Sequence, residues 1–196
     1  AYEPFDYPLG SNLHAASGGS GFSEPWRVTS SGPNGIVTGA QSGSIVAGLN
    51  YTDALGNVLP VSGGAWQADG SFPLPQAQRG TNASFGAAGS SVWISFLIRQ
   101  STTTGGLNYA WAAPGTGIPF GGGAQAMSVG LRAIPDGFVQ ASYTGTEAEQ
   151  ATRNIGNAAG KVTLVVARYD FSAAGNDSLR AWFDPILGQP LGSPQL

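Results

Sequence analysis

The chain has no cysteine, one histidine and one lysine, Lys161, and only 10% of its 196 residues are charged. Without cysteine there is no disulfide and no thiolate chemistry. One histidine, His14, with no cysteine beside it, leaves too few nitrogen and sulfur ligands for a zinc site. It also leaves a Ser-His-Asp site without any local signature. No stretch reaches the ~20 apolar residues that a membrane-crossing helix needs. The net charge is −3 and the seven arginines are scattered, so no basic patch is available to neutralise phosphates. Nucleic acid is therefore excluded as an expected partner.

What the chain does have is glycine, 31 residues, and proline, 13, without a G-X-Y period. Collagen is excluded, and the glycines fall between apolar runs, where turns are needed. Hydrophobic residues make up 41%, enough for a sizeable core. The densest apolar run is Val92-Trp93-Ile94-Ser95-Phe96-Leu97-Ile98-Arg99. Period-two alternation puts Val92, Ile94, Phe96 and Ile98 on one face and a mixed set, Trp93, Ser95, Leu97 and Arg99, on the other. Residues Val162 to Phe171 form its natural partner strand. Ile94, Phe96, Leu131, Leu164 and Val166 are expected to be almost fully buried.

Further strands are expected at Ser44–Leu49, Leu107–Trp111, Met127–Ala133, Phe138–Tyr143 and Leu179–Phe183, with an extended edge strand in Tyr2–Pro8. Pro135-Asp136-Gly137 predicts a hairpin between Met127–Ala133 and Phe138–Tyr143. Residues 146–159 are the one helix candidate: Thr146 and Glu149 suit a capping box, but Ile155 is its only large apolar residue, so a loop is the competing expectation. Neither a linker nor an internal repeat interrupts the sequence. The reading is a single all-β domain over residues 1–196: a two-sheet antiparallel β-sandwich of short strands.

Three groups of residues carry a resemblance. They are Tyr2-Glu3-Pro4-Phe5-Asp6-Tyr7-Pro8 with Gly18–Ser23 and Trp26; the strand Val92–Arg99; and Val165–Phe171 with Gly175-Asn176-Asp177 and Leu179–Pro185. In that order the chain resembles exported bacterial proteins with a laminin-G-like, concanavalin-A-like jelly roll. The resemblance implies a secreted or cell-surface protein, and an Ala1 start without methionine fits a processed export form. Relatives with this fold include lectins, carbohydrate-binding modules and glycan-cleaving enzymes. Against the family pattern, the chain stops at Leu196, soon after Pro185, and the resemblance therefore implies that the closing strands of the jelly roll are expected to be missing. That predicts an open edge completed by self-association or by a C-terminal fragment through strand addition.

The catalytic signals are thin. A Glu-x-Asp-x-x-Glu strand is absent, and Glu147 with Glu149 sits in polar surroundings that read as a solvated face. The expected class is a non-catalytic binding or assembly module at the cell exterior, with a carbohydrate-binding module as the alternative and a glycan-cleaving enzyme third. Sugar contacts are expected from aromatics in loop-rich regions: Trp66, Tyr109 and Trp111. Calcium, which takes oxygen ligands, would draw on Glu3, Asp6, Asp170, Asn176 and Asp177; the competing reading of Asn176-Asp177 is a shaped turn.

Overall fold

A computed structural model of the chain describes residues 1–30, 43–68, 75–99, 108–112, 127–133, 138–143, 150–154, 160–175 and 177–195, with side chains outside residues 29–30, 75–76 and 100–159. Every described regular element is a strand, and every strand pair is antiparallel. The chain divides into two compact units: Ala1–Leu49 with Pro60–Ser84, and Asn50–Leu59 with Phe85–Leu196.

The first unit holds four short strands, β1 (Arg27–Ser30), β2 (Ser44–Ala47), β3 (Gly64–Gln67) and β4 (Pro75–Gln78). β1 pairs with β4 and β2 with β3. Their core is small: Leu13, Val28 and Ile45 are buried, with Phe5, Tyr7, Trp26 and Trp66 packed around them. Tyr2–Pro8 is not the expected edge strand. Only Tyr2 forms an isolated bridge, to Ser20. Phe5 turns the segment instead, with φ of 53°, a left-handed conformation that costs an aromatic residue about 1–3 kcal/mol. The backbone then lies close against Gly63 (φ 86°), where a Cβ would collide with the Pro4 carbonyl oxygen. Glycine is required there on both counts.

The second unit contains two sheets. One has the order β11-β10-β5, from β5 (Ser91–Arg99), β10 (Val162–Asp170) and β11 (Ser178–Phe183). The other has the order β6-β7-β8-β9, from β6 (Asn108–Ala112), β7 (Met127–Ala133), β8 (Phe138–Tyr143) and β9 (Gln150–Asn154). The expected pairing of the two longest runs holds, with Phe96 opposite Val165 and Ile94 opposite Ala167. Both expected hairpin pairings hold as well, β7 with β8 and β10 with β11. The Pro135-Asp136-Gly137 turn itself lies outside the described residues. Within 146–159, Gln150–Asn154 is strand β9, not helix. The segment has no apolar stripe to bury as a helix, and as a strand it satisfies its backbone against β8.

The phase of β10 differs from the expectation by one residue. Val165, Ala167 and Tyr169 are the fully buried set, joined by Ala181 and Phe183 of β11 and Ile98 of β5. Leu164 is buried, but Val166 is only half-buried and belongs to the opposite face. Ile94 and Phe96 keep the expected face and pack on this core, yet each is half-buried, not enclosed. The side chain of Leu131 lies outside the described residues. The physical reason for the β10 phase is charge. Arg168 and Asp170 share a face with Leu164 and Val166, and neither ion can be buried cheaply, so the face carrying Tyr169 turns inward.

Two devices finish this sheet. Asp184 follows β11 with φ of 51°; its N–H donates to Leu164 O (2.8 Å) and its Oδ1 accepts from Leu164 N (3.0 Å), while Lys161 Nζ holds its Oδ2 at 2.5 Å. The tail then returns along the outer side of β11. Gln195 N donates to Ala181 O (2.8 Å), Gln195 Oε1 accepts from Phe183 N (2.5 Å), and Trp182 Nε1 donates to Gly192 O (2.8 Å).

Candidate functional site

The register of the three-stranded sheet builds one surface that is both aromatic and charged. On the face away from the core, Trp93, Arg168 and Arg180 form one row, and Ser91, Asp170 and Ser178 form the next. On the other side of the Trp93 row stands a third row, Ser95, Val166 and Trp182. Trp93 and Trp182 belong to strands on either side of β10, and their indoles meet across it in a stacked pair, centroids 5.6 Å apart. Trp182 is largely buried, whereas Trp93 is 51% exposed. The Arg168 guanidinium lies 5.6 Å from the Trp93 ring centre, a cation–π arrangement.

Asp170 orders the charges. Its Oδ1 accepts from Ser91 Oγ (2.5 Å) and from Arg168 Nε (2.7 Å). Its Oδ2 is shielded from solvent and has no hydrogen-bond partner, since Arg180 Nη1 stands 4.0 Å away. The Ser91 hydrogen bond, and after it the hydrogen bond and charge of Arg168, hold the Asp170 carboxyl below the usual carboxylate range, against the opposing effect of burial. The patch therefore carries two guanidiniums and one carboxylate. Arg168 is bound to Asp170, while the Arg180 side chain is 51% exposed.

The residues expected to bind ligands fall elsewhere. Trp66, in β3, packs half-buried against the core of the first unit, whereas Trp93 belongs to the second. Tyr109 and Trp111 sit in β6, opposite Arg132 and Gly130, and their side chains lie outside the described residues. Of the candidate calcium ligands, Asn176 lies outside the described residues, and Asp6 is exposed. Asp177 Oδ1 accepts from Ser172 N (2.8 Å), which is turn shaping. Glu3 is the anchor of a buried knot. Its Oε1 accepts from Phe5 N (2.8 Å), and its Oε2 accepts from Tyr7 Oη (3.0 Å), Trp26 Nε1 (2.9 Å) and Arg79 Nη1 (2.5 Å). Arg79 in turn lies 4.0 Å over the Phe22 ring and donates to Gly18 O (3.1 Å) and Glu24 O (3.1 Å). The oxygens of Glu3 thus face protons, and Asp170 faces two guanidiniums. Neither fits the all-oxygen cage that calcium takes. Among the described residues, no three His, Asp or Glu side chains converge.

His14 is equally occupied with structure, its Nδ1 accepting from Val28 N (3.2 Å). Sequence reasoning missed two sites. One is Asp53, buried in the second unit, whose Oδ1 accepts from Leu55 N (2.8 Å) and Asn57 N (2.9 Å) and whose Oδ2 accepts from Asn57 Nδ2 (2.8 Å) and Leu187 N (2.9 Å). Burial raises its pKa, but these hydrogen bonds outweigh that and bring it down to about 2. The other is the Trp93 face. A signal for it was present: period two puts Arg168 with Asp170, and Arg180 with Trp182, before any register is known. No helix among the described residues is long and apolar enough to cross a membrane. No protein-family model matches the chain, and searches of the curated proteins and of the solved structures also return no match.

Proposed function

We propose that this chain is a non-catalytic module of the cell exterior that binds a glycan on the outer face of the β11-β10-β5 sheet. The carrying observation is the half-exposed Trp93, braced by Trp182 and flanked by Arg168, Asp170 and Arg180. A sugar presents a face of C–H groups that packs on an indole, and a rim of hydroxyls that needs donors and acceptors beside it. A ring already held by stacking loses little freedom when it binds. The finer architecture in this reading is a laminin-G-like, concanavalin-A-like jelly-roll sandwich. Support comes from the buried Val165, Ala167 and Tyr169 face of a sheet that is three strands wide among the described residues and needs a covering layer. The charge-poor, glycine-rich composition supports an exported protein.

Assembly by strand addition is the second reading. β5 pairs only with β10 among the described residues, so its other side is the edge on offer, while the chain's own tail lies along β11. Affinity electrophoresis through gels carrying plant, algal and bacterial polysaccharides separates the two. Glycan binding retards the wild-type chain in at least one gel and Trp93→Ala runs free. Uniform mobility in every gel, together with a concentration-dependent mass in solution, favours assembly.

A further inference from the structure

Building on the glycan reading, we infer that the Trp93 face selects acidic glycans, those bearing carboxylate or sulfate groups, and that Arg180 is the residue that makes the selection. The inference rests on the charge count of the three rows. Two guanidiniums face one carboxylate, and only one of them, Arg168, hydrogen-bonds it, with Nε and Nη2 both 2.7 Å from the same oxygen, Asp170 Oδ1. Arg180 Nη1 is 4.0 Å from Asp170 Oδ2, outside hydrogen-bond reach, and the side chain is half exposed. The patch keeps a net positive charge in a chain whose net charge is −3. An ordinary surface arginine would have no platform beside it. Here Arg180 shares its row with Trp93, two strand spacings or about 10 Å away at the backbone. A sugar lying on Trp93 and pointing along that row presents its acidic substituent to the open fork of Arg180, which suits carboxylate and sulfate oxygens bidentately.

The division of labour is specific. Trp93 supplies contact area that does not distinguish neutral from acidic sugars. Arg168, neutralised by Asp170 and laid over Trp93, positions the ring and offers its remaining N–H groups to hydroxyls. Arg180 alone reads charge. The wrong ligand, a neutral sugar, leaves its guanidinium solvated and loses nothing else.

The test pairs polymers that share a backbone: polygalacturonate against its fully methyl-esterified form, and dextran sulfate against dextran, with a single-stranded oligonucleotide as a third anion. Calorimetry on the full chain should show an acidic member bound about tenfold or more tighter than its neutral partner, the scale of one charged hydrogen-bond pair. The arm that responds tells carboxylate from sulfate. Arg180→Gln should abolish the preference by bringing the affinity for the acidic member down to that for its neutral partner, and Arg180→Lys should restore part of it. Trp93→Phe should weaken both members together. Equal binding of both members in wild type, or a preference that survives Arg180→Gln, overturns the inference and leaves the glycan reading standing. Failure to bind any of the four polysaccharides overturns the inference, and the glycan reading falls with it when every gel of the wider polysaccharide panel also leaves the mobility unchanged. Oligonucleotide binding as tight as that of the acidic glycans also overturns it, since the patch would then read phosphate charge alone.

Discussion

Replacing Glu3 by Gln should cost the first unit about 3–5 kcal/mol, the range for breaking a buried ion pair by removing one partner. The Glu3 and Arg79 side chains are 9% and 4% exposed, so water offers the remaining guanidinium no substitute. The substitution keeps the volume and removes only the charge. It also places an amide N–H₂ among groups that are all donors: Phe5 N, Tyr7 Oη, Trp26 Nε1 and Arg79. Phe5 loses part of what holds its backbone at φ 53°. With a urea m value of about 2 kcal/mol/M, the midpoint should fall by about 1.5–2.5 M. Tryptophan fluorescence is a suitable probe because Trp26 donates to Glu3 and stacks on Phe5, centroids 5.6 Å apart.

Arg79→Met should cost less, since Glu3 keeps three donors when the guanidinium goes. The pair Glu3→Gln with Arg79→Met should fall short of the sum of the single costs by at least about 1 kcal/mol, because neighbours in one network couple. The deficit should persist at about 1 M salt, where the Debye length is ~3 Å, because a buried pair is screened far less than an exposed one. A Glu3→Gln cost below about 1 kcal/mol, additive with Arg79→Met, would refute the argument: the pair would then be a surface bridge in energetic terms.

Tyr169→Ala should lose about 3–5 kcal/mol, as for a large enclosed aromatic, while Val166→Ala loses much less; the reverse order in denaturant melts would return β10 to the opposite phase. Asp53 has a folded pKa of about 2, below its unfolded value near 3.9, so its contribution is complete above about pH 4 and fades as pH falls toward 2. Asp53→Asn should flatten that part of the stability profile; an unchanged acid limb would count against the Asp53 clamp. Phenol titration should show Tyr51 ionising near pH 12, because burial, then the charges of Asp184 and Asp53, oppose its anion. Calcium and chelator should leave the melting temperature unmoved, as Glu3 and Asp170 already hold donors; a calcium-dependent rise would place ions at other carboxylates.

Strand pairing was legible in the sequence because it depends on apolar density and turn chemistry, both local. Val92–Arg99 and Val162–Phe171 could hardly be anything but neighbours, and the hairpin to Leu179–Phe183 follows from its turn. The phase of β10 was not legible from apolar count, because Val162, Leu164 and Val166 are as apolar as Val165, Ala167 and Tyr169. Only the ions at Arg168 and Asp170 break the tie. The Glu3 knot was hidden for a different reason. Its members are up to 76 positions apart, and nothing local marks Arg79 as the partner of an N-terminal glutamate. Strand β9 was obscured because its polar residues carry neither a helical nor a strand period.

Scarcity of charge makes the placement of each ion informative. Glu3 with Arg79 is buried and spent on holding an irregular N-terminal segment. Lys161 with Asp184 ties the start of β10 to the end of β11. Asp53 clamps a loop onto Leu187. Each of these can be accounted for by backbone groups or a counter-ion that would otherwise go unsatisfied. The Trp93 face is different. Arg168 and Arg180 stand in one row beside an open indole, and only Arg168 hydrogen-bonds Asp170, at Oδ1. The second guanidinium adds like-charge repulsion to the sheet and gains little from a carboxylate 4.0 Å away. Among the described residues, Arg180 is held by no contact tighter than this 4.0 Å ion pair to Asp170 Oδ2, and its exposed guanidinium beside the indole is what the proposed selection of acidic glycans rests on.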